Sequence, residues 1–340
     1  MRKSLLAACF VLPLHMNGAF AGTGIAILDI PAAHHGREME TAVFFPARGG
    51  NEISLGENGV FHGVPVHEDA QPLTGRFPVI LMSHGWGGNF KRMAWLSAAL
   101  AEKGAIVVAV NHPNSTTGEL GNLNALDHWT RAQDLTAALN HAVSSPLLAE
   151  HIDASRIYAA GFSYGGWTAL SLGGLTGSHE GFAKLCMDGE KVTSHCADIL
   201  RAGIKIEDID PVKWNAAYKD PRISAVAAID PALTFGLTAS NSANLDVPVL
   251  LIGLGDGANR LHATDTSAAG SNLEALVPEA NTALLAPATH FTALGLCKPD
   301  GEAILKDEQD DPVCTDPPGS SRKAIMDRII DLIAAHFRLG

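Results

Sequence analysis

The feature of this sequence that most restricts its fold is a series of short, continuous apolar runs that alternate with segments of helical periodicity. The runs are rich in Val, Ile, Leu and Ala and are bounded by Gly or Pro. Continuous runs of this length are typical of strands that are buried on both faces of a sheet. They predict strands over residues 77–82, 105–110, 156–160, 223–229, 247–252 and 282–285.

The segments between these runs place apolar residues at three- and four-residue spacings, which predicts helices. The predicted helices cover residues 95–103, 127–143, 164–172 and 321–337. Alternation of strand and helix predicts an α/β fold in which helices cover both faces of a mostly parallel central sheet. Residues 24–46 are expected to add two strands that pair antiparallel at one edge. Residues 173–220 break the rhythm, and we interpret them as a cap-like insertion within a single domain of residues 22–340.

Composition and charge exclude two broad classes of protein. With 340 residues, 46% of them hydrophobic and 18% charged, the chain is too apolar to be disordered and long enough for one large domain. The formal net charge is −12, and no stretch concentrates Lys or Arg. Because nucleic-acid binding relies on positive charge that neutralises phosphates, we expect no nucleic-acid partner.

Residues 1–21 have the composition of a cleavable signal peptide. Arg2 and Lys3 are followed by an apolar run over residues 5–14 and by the small-x-small sequence AFA at 19–21. The run is shorter than the roughly 20 apolar residues that span a bilayer, and no later segment is long and apolar enough to do so. We therefore expect an exported protein, periplasmic or secreted, without stable membrane insertion.

Four cysteines follow the predicted signal peptide: Cys186, Cys196, Cys297 and Cys314. An even number of cysteines in an exported chain indicates disulfides. Of the three possible pairings we favour Cys186–Cys196 and Cys297–Cys314, because each pair brackets a polar, loop-like stretch. A zinc site is the alternative, but no pair has the C-x₂-C spacing typical of such sites.

The sequence GFSYG at residues 161–165 is the strongest candidate for a catalytic feature. It lies directly after the predicted strand 156–160 and directly before the predicted helix 164–172. Small residues two before and two after Ser163 allow a tight, strained turn that lifts the hydroxyl out of the sheet. The helix then begins beneath the serine, so its backbone N–H groups face a developing oxyanion. The alternative interpretation is an ordinary Gly-rich turn.

A second glycine-rich sequence, HGWGG at residues 84–88, follows the predicted strand 77–82. Acyl transfer needs two converging N–H donors for the oxyanion, one of them from the residue after the nucleophile. Tyr164 fits that position, and Trp86 is the candidate for the second donor because the glycines around it permit close approach of the backbone. Here too the alternative is a Gly-rich turn without a catalytic role.

The candidate general base is His290, one of 15 histidines. It follows the predicted strand 282–285, at the carboxyl edge of the sheet where open α/β folds bind ligands. His112, after the predicted strand 105–110, is the alternative base. The chain order of serine, acid and histidine favours His290.

The candidate acid has two possible positions. Asp230 ends the predicted strand 223–229, whereas Asp256 follows the next strand, 247–252. Either carboxylate could orient the imidazole and stabilise the imidazolium ion. We favour Asp230 and keep Asp256 as the alternative.

A metal cluster is a further hypothesis, because four other histidines are candidate ligands: His34, His35, His62 and His67. They lie in an early, loop-like part of the sequence, where scattered surface or pocket histidines are the commoner finding. We predict no metal site from them.

Taken together, these motifs resemble the α/β-hydrolases, in particular the group that contains platelet-activating-factor acetylhydrolases and bacterial dienelactone-hydrolase-like proteins. The resemblance covers roughly residues 37–291. It is carried by the sequences at residues 83–88, 108–113, 161–165, 229–232 and 289–291.

The resemblance implies an α/β-hydrolase fold with Ser163 as the nucleophile, although true dienelactone hydrolases use a cysteine there. The acetylhydrolases and some lipases take their acid from the end of the strand that Asp230 terminates. Most other α/β-hydrolases take it from the loop after the following strand. In that loop the usual position falls on Gly257, one residue beyond Asp256.

These observations predict an exported serine hydrolase that cleaves small-molecule carboxylic esters and needs neither a metal nor an organic cofactor. Ser163 would attack the acyl carbon and His290 would take and return the proton. The resemblance allows short-acyl esters, phospholipid sn-2 acetyl esters and polyester fragments. A peptidase on the same scaffold is one alternative. A catalytically silent binding protein is another, but silent members usually lose the serine or the histidine, and this chain keeps both.

Overall fold

A sheet of eleven strands forms the centre of the computed structural model, which describes residues 22–120, 123–187, 196, 199 and 203–340. The spatial order is β11-β10-β9-β8-β6-β7-β2-β1-β4-β3, and β5 pairs with β2. The strands are β1 (Gly22–Ala32), β2 (Arg37–Arg48), β3 (Asn51–Leu55), β4 (Val64–Glu68), β5 (Gln71–Pro72), β6 (Phe77–Ser83), β7 (Ile106–Val110), β8 (Ile152–Phe162), β9 (Ile223–Ile229), β10 (Val249–Leu254) and β11 (Asn281–Leu285).

The six strands predicted from the apolar runs are β6 to β11, and they are neighbours that pair parallel to one another. Alternate residues of these strands pack on opposite faces of the sheet. In β7, Ile106 and Val108 belong to one buried core cluster, whereas Val107 and Ala109 belong to the other. Burial on both faces explains the continuous apolar sequences of β6, β7, β9, β10 and the second half of β8. β11 differs from the prediction, because it is the edge strand of the sheet and is largely exposed.

Helices cover both faces of the sheet. In the described part of the chain they are α1 (Ala94–Glu102), α2 (His128–Ser144), α3 (Tyr164–Gly173), α4 (His179–Met187), α5 (Pro211–Asn215), α6 (Ala239–Ser242), α7 (Leu273–Leu276), α8 (Gly301–Glu308) and α9 (Arg322–His336). Side chains of α2 and α3 pack on one face, and side chains of α1 and α9 pack on the other. The predicted α/β class with a mostly parallel central sheet is therefore confirmed.

The N-terminal strands differ in one respect from the prediction. β1 and β2 pair antiparallel, as expected, but they do not form the edge of the sheet. β1 pairs parallel with β4, and the hairpin of β3 and β4 forms the end of the sheet. The sequence of β3, NEISL, is largely exposed and has no apolar run, so the sequence pattern does not predict a strand there.

The two predicted disulfides are present. The Cα atoms of Cys186 and Cys196 lie 5.2 Å apart, and those of Cys297 and Cys314 lie 5.8 Å apart. The second disulfide encloses α8. No helix within the described ranges is both long and apolar enough to cross a membrane.

Two of the predicted segments fall wholly or partly outside the described residues. These are the signal peptide, residues 1–21, and much of residues 188–202 within the predicted insertion. The described parts of that insertion include α4 and α5. Its role as a cap stays a prediction.

Candidate active site

Ser163 lies at a sharp turn between β8 and α3. Its backbone has φ 56° and ψ −119°, a strained conformation for a residue with a side chain. A Cβ atom on Gly161 would lie 2.2 Å from the carbonyl oxygen of Gly165, and one on Gly165 would lie 2.0 Å from that of Ser83. Only glycine fits at these two positions, which is why the turn can be so tight.

Ser163, His290 and Asp230 form one continuous hydrogen-bonded array. Ser163 Oγ lies 3.1 Å from His290 Nε2, and His290 Nδ1 lies 2.6 Å from Asp230 Oδ2. All three side chains are buried. Because a carboxylate can only accept, Nδ1 carries the proton in this array and Nε2 is free to accept one from the hydroxyl.

Asp230 is held in place by several further donors. Its carboxylate accepts a hydrogen bond from the Leu254 N–H at 3.1 Å and one from Thr264 Oγ1 at 2.7 Å. The Arg260 guanidinium also donates to it. These contacts fix the carboxylate that orients His290. Sequence reasoning missed Arg260 and Thr264, because neither belongs to a motif.

The structure places Asp256 away from this array. Asp256 is exposed and precedes the short helical turn Gly257–Asn259. It lines a separate cavity together with Asp265, and no hydrogen bond among the described residues joins it to His290. Of the two candidate acids, only Asp230 contacts the base.

The two predicted oxyanion donors lie on either side of Ser163. A Cβ atom on Gly85 would lie 3.3 Å from the Cβ atom of Ser163, so the loop that carries Trp86 passes beside the serine. Tyr164 is the first residue of α3, where backbone N–H groups have no partner within the helix. In the described part of the chain, neither the Trp86 nor the Tyr164 N–H is donated to a protein acceptor.

A cavity of about 470 Å³ opens over Ser163 and His290. Its lining is mostly apolar and aromatic. Glu308 and Val313, from the segment enclosed by the Cys297–Cys314 disulfide, form part of one wall. The apolar lining residues include Phe61, Trp86, Phe162, Leu233, Leu261 and Phe291.

His112, the alternative base, belongs to a second array that sequence reasoning did not find. Ser83 Oγ lies 2.8 Å from His112 Nε2, and His112 Nδ1 lies 2.8 Å from Asp134 Oδ2. All three side chains are fully buried. Burial lowers the pKa of His112 to about 3, and the nearby Arg131 guanidinium acts in the same direction.

The residues that could hold a metal ion, among those the structure describes, are His34, His35 and Asp134. The two Nε2 atoms lie 2.7 Å and 3.0 Å from Asp134 Oδ1. His112 Nδ1 lies within hydrogen-bond distance of the other carboxylate oxygen, Asp134 Oδ2. Three imidazole nitrogens can therefore donate hydrogen bonds to this carboxylate. The sequence analysis also considered His62 and His67 as members of a metal cluster, but they lie outside this group.

Comparison with solved structures identifies the fold. A ferulic acid esterase from Streptomyces cinnamoneus matches 94% of this chain and 89% of its own, with a TM-score of 0.56 and 18% identity. A dienelactone hydrolase-like promiscuous phosphotriesterase from metagenomic libraries matches 94% of this chain and 100% of its own, with a TM-score of 0.54 and 13% identity. No protein-family model matches the chain, and no curated protein is significantly similar to it in sequence.

These matches, together with the parallel sheet and the turn at Ser163, define the chain as one with an α/β-hydrolase fold. The predicted fold is therefore confirmed. At such low identities the likeness extends to the fold alone.

Proposed function

We propose that this protein is an exported serine hydrolase that cleaves carboxylic esters through an acyl-enzyme intermediate. The observation that carries the proposal is the hydrogen-bonded array of Ser163, His290 and Asp230, placed on a strained turn at the floor of the main cavity. An array of this kind activates a serine hydroxyl, which is a weak nucleophile by itself. Two disulfides and the signal-like residues 1–21 support export.

The reaction begins when Ser163 Oγ attacks the acyl carbon and its proton passes to His290 Nε2. The carbonyl oxygen becomes an oxyanion, which accepts hydrogen bonds from the Trp86 and Tyr164 N–H groups. His290 then returns the proton to the leaving alcohol, and the acyl group stays on Ser163. Water, activated by the same imidazole, releases the acid, while Asp230 stabilises the imidazolium ion in both halves.

The cavity favours an ester with an apolar or aromatic acyl group. Phe61, Phe162 and Phe291 offer aromatic surface to such a group. One similar structure is of a ferulic acid esterase, which by its name acts on an ester of an aromatic acid. Small-molecule esters of this kind are the proposed substrates.

Replacing Ser163 tests the proposal. With p-nitrophenyl esters of increasing acyl length and the disulfides intact, we expect Ser163→Ala to lower kcat by roughly 10³-fold or more. A fluorophosphonate probe should label Ser163 in the wild type. Ser155→Ala, which changes an exposed serine whose hydroxyl donates to Asp153, is the matched control and should keep full activity.

Near-wild-type hydrolysis by Ser163→Ala would contradict this assignment. A folded wild type that neither reacts with the probe nor turns over any ester would favour a silent binding protein instead. The ester panel also identifies the acyl length that the cavity accepts.

A further inference from the structure

We propose that Arg131 is a positioning residue that holds both backbone donors of the oxyanion site in place. The inference rests on the proposed function, since it concerns the same site. Arg131 lies on α2, outside every motif that the sequence offered, and only 1% of its surface is exposed. Its guanidinium nevertheless makes four hydrogen bonds and one cation–π contact, most of them to the two segments that carry Trp86 and Tyr164.

On the first side, Arg131 holds the loop that contains Trp86. Its guanidinium donates to the carbonyl oxygen of His84 and, at 3.2 Å, to Ser83 Oγ. A third bond, of 2.5 Å, reaches Ser115 Oγ, and the Ser115 carbonyl oxygen accepts the Gly87 N–H at 3.1 Å. The backbone is thereby tied down on both sides of Trp86.

On the other side, Arg131 holds the first turn of α3. The carbon at the centre of its guanidinium lies 4.4 Å from the centroid of the Tyr164 ring, a cation–π contact. Arg131 Nε donates to Thr168 Oγ1 at 3.2 Å, and that hydroxyl donates to the Tyr164 carbonyl oxygen at 3.0 Å. One side chain therefore contacts the segments of both donors.

The chemistry of these contacts requires arginine. A planar fork with five N–H donors reaches several acceptors in fixed directions, which the single ammonium group of lysine cannot do. Burial lowers the pKa of Arg131 to about 10, so the guanidinium stays charged at neutral pH. The carboxylate of Asp134, one turn further along α2, favours that charge.

Positioning matters because N–H donors stabilise a transition state only when they already point at the developing charge. Loss of a single oxyanion donor typically lowers kcat by about 10²- to 10³-fold. We expect Arg131→Met to lower kcat by about 10²-fold and Arg131→Lys by about 10-fold, with KM changed less than threefold in both.

Two readouts separate positioning from general stability. The affinity for a trifluoromethyl ketone, which forms an oxyanion on the active serine, should fall in proportion to kcat. Hydrogen exchange should rise in peptides covering residues 84–88 and 164–168 but not across β9 and β10. The control is Arg222→Met, because Arg222 donates to Asp220 and to Asn140 of α2, and within the described residues it lies outside the cavity lining.

The inference is overturned if folded Arg131 variants keep wild-type kcat, or if kcat falls while ketone affinity and local exchange stay unchanged. Should Arg131→Met fail to fold, Arg131→Lys carries the same test. If the wild type hydrolyses no ester at all, the proposed function fails. The exchange measurement then still decides whether Arg131 holds the two segments.

Discussion

The described part of the chain contains two arrays of serine, histidine and aspartate, which differ in surroundings far more than in geometry. In the array of Ser163 the two hydrogen bonds measure 3.1 Å and 2.6 Å, whereas in the array of Ser83 both measure 2.8 Å. Ser163 lines the main cavity at the start of α3. Ser83 is fully buried at the end of β6, where its hydroxyl also accepts a hydrogen bond from Arg131.

The difference teaches that hydrogen-bond geometry alone does not make a nucleophile. A reactive serine also needs access for substrate, N–H donors for the oxyanion and a base able to take up a proton. His112 is a poor base because burial lowers its pKa to about 3. The buried array instead satisfies polar groups inside the fold and connects β6, the strand before the loop of Trp86, to α2.

Replacing the aspartate of each array by asparagine should separate the proposed catalytic role of one array from the structural role of the other. The largest effect on kcat is expected at Asp230. In Asp230→Asn the amide can donate where the carboxylate only accepts, which favours the wrong tautomer of His290. We expect kcat to fall by about 10⁴-fold with the fold intact, measured by ester hydrolysis and circular dichroism. Asp256→Asn should stay within about twofold of wild type. A larger loss of kcat in Asp256→Asn would instead indicate that Asp256 is the catalytic acid.

In the buried array, Asp134→Asn should act mainly on stability. Three imidazoles converge on this carboxylate, so an amide there leaves a buried donor facing another donor. We expect the free energy of unfolding to fall by about 3 kcal/mol, measured by urea denaturation. Asp153→Asn, at a carboxylate near the surface, should lose less than about 1 kcal/mol. Equal losses in both variants would contradict the role given to the buried array.

The smallest predicted effect is the dependence of stability on pH that His112 introduces. Its pKa is about 3 when folded and roughly 6.5 when exposed, so between these values the unfolded chain binds the extra proton. Stability therefore falls as the pH falls, by about 1 kcal/mol between pH 6.5 and 5.5 from this group. His112→Gln should flatten that slope, whereas His141→Gln, at an exposed position, should not. A slope unchanged in His112→Gln would disprove the assignment.

The parts of the fold that could be predicted are those with local signals. The strands β6, β7, β9 and β10 are apolar along their length because both faces are buried. The tight turn at Ser163 depends on two glycines that no other residue could replace, so it too has a local signal. The hairpin of β3 and β4 was missed because its few apolar residues alternate with polar or exposed ones, so neither strand has a continuous apolar run.

Within the candidate site, local pattern identified Ser163 and His290 but left two acids open. What distinguishes Asp230 from Asp256 is a contact with a residue 60 positions away, and spacing along the chain does not report such a contact. Arg131 and Arg260 were missed for the same reason, since the contacts of each are to residues on other elements.

The separation of the three array members along the chain has a consequence for the study of folding. Ser163 and His290 are 127 residues apart, and His290 and Asp230 are 60 apart, so they meet only when β8, β9 and the segment after β11 have docked in one sheet. Contacts of such range form late relative to local helices. Under the proposed function, active-site titration of Ser163 would measure the fraction of molecules that are correctly folded, and during refolding it would follow the formation of these long-range contacts.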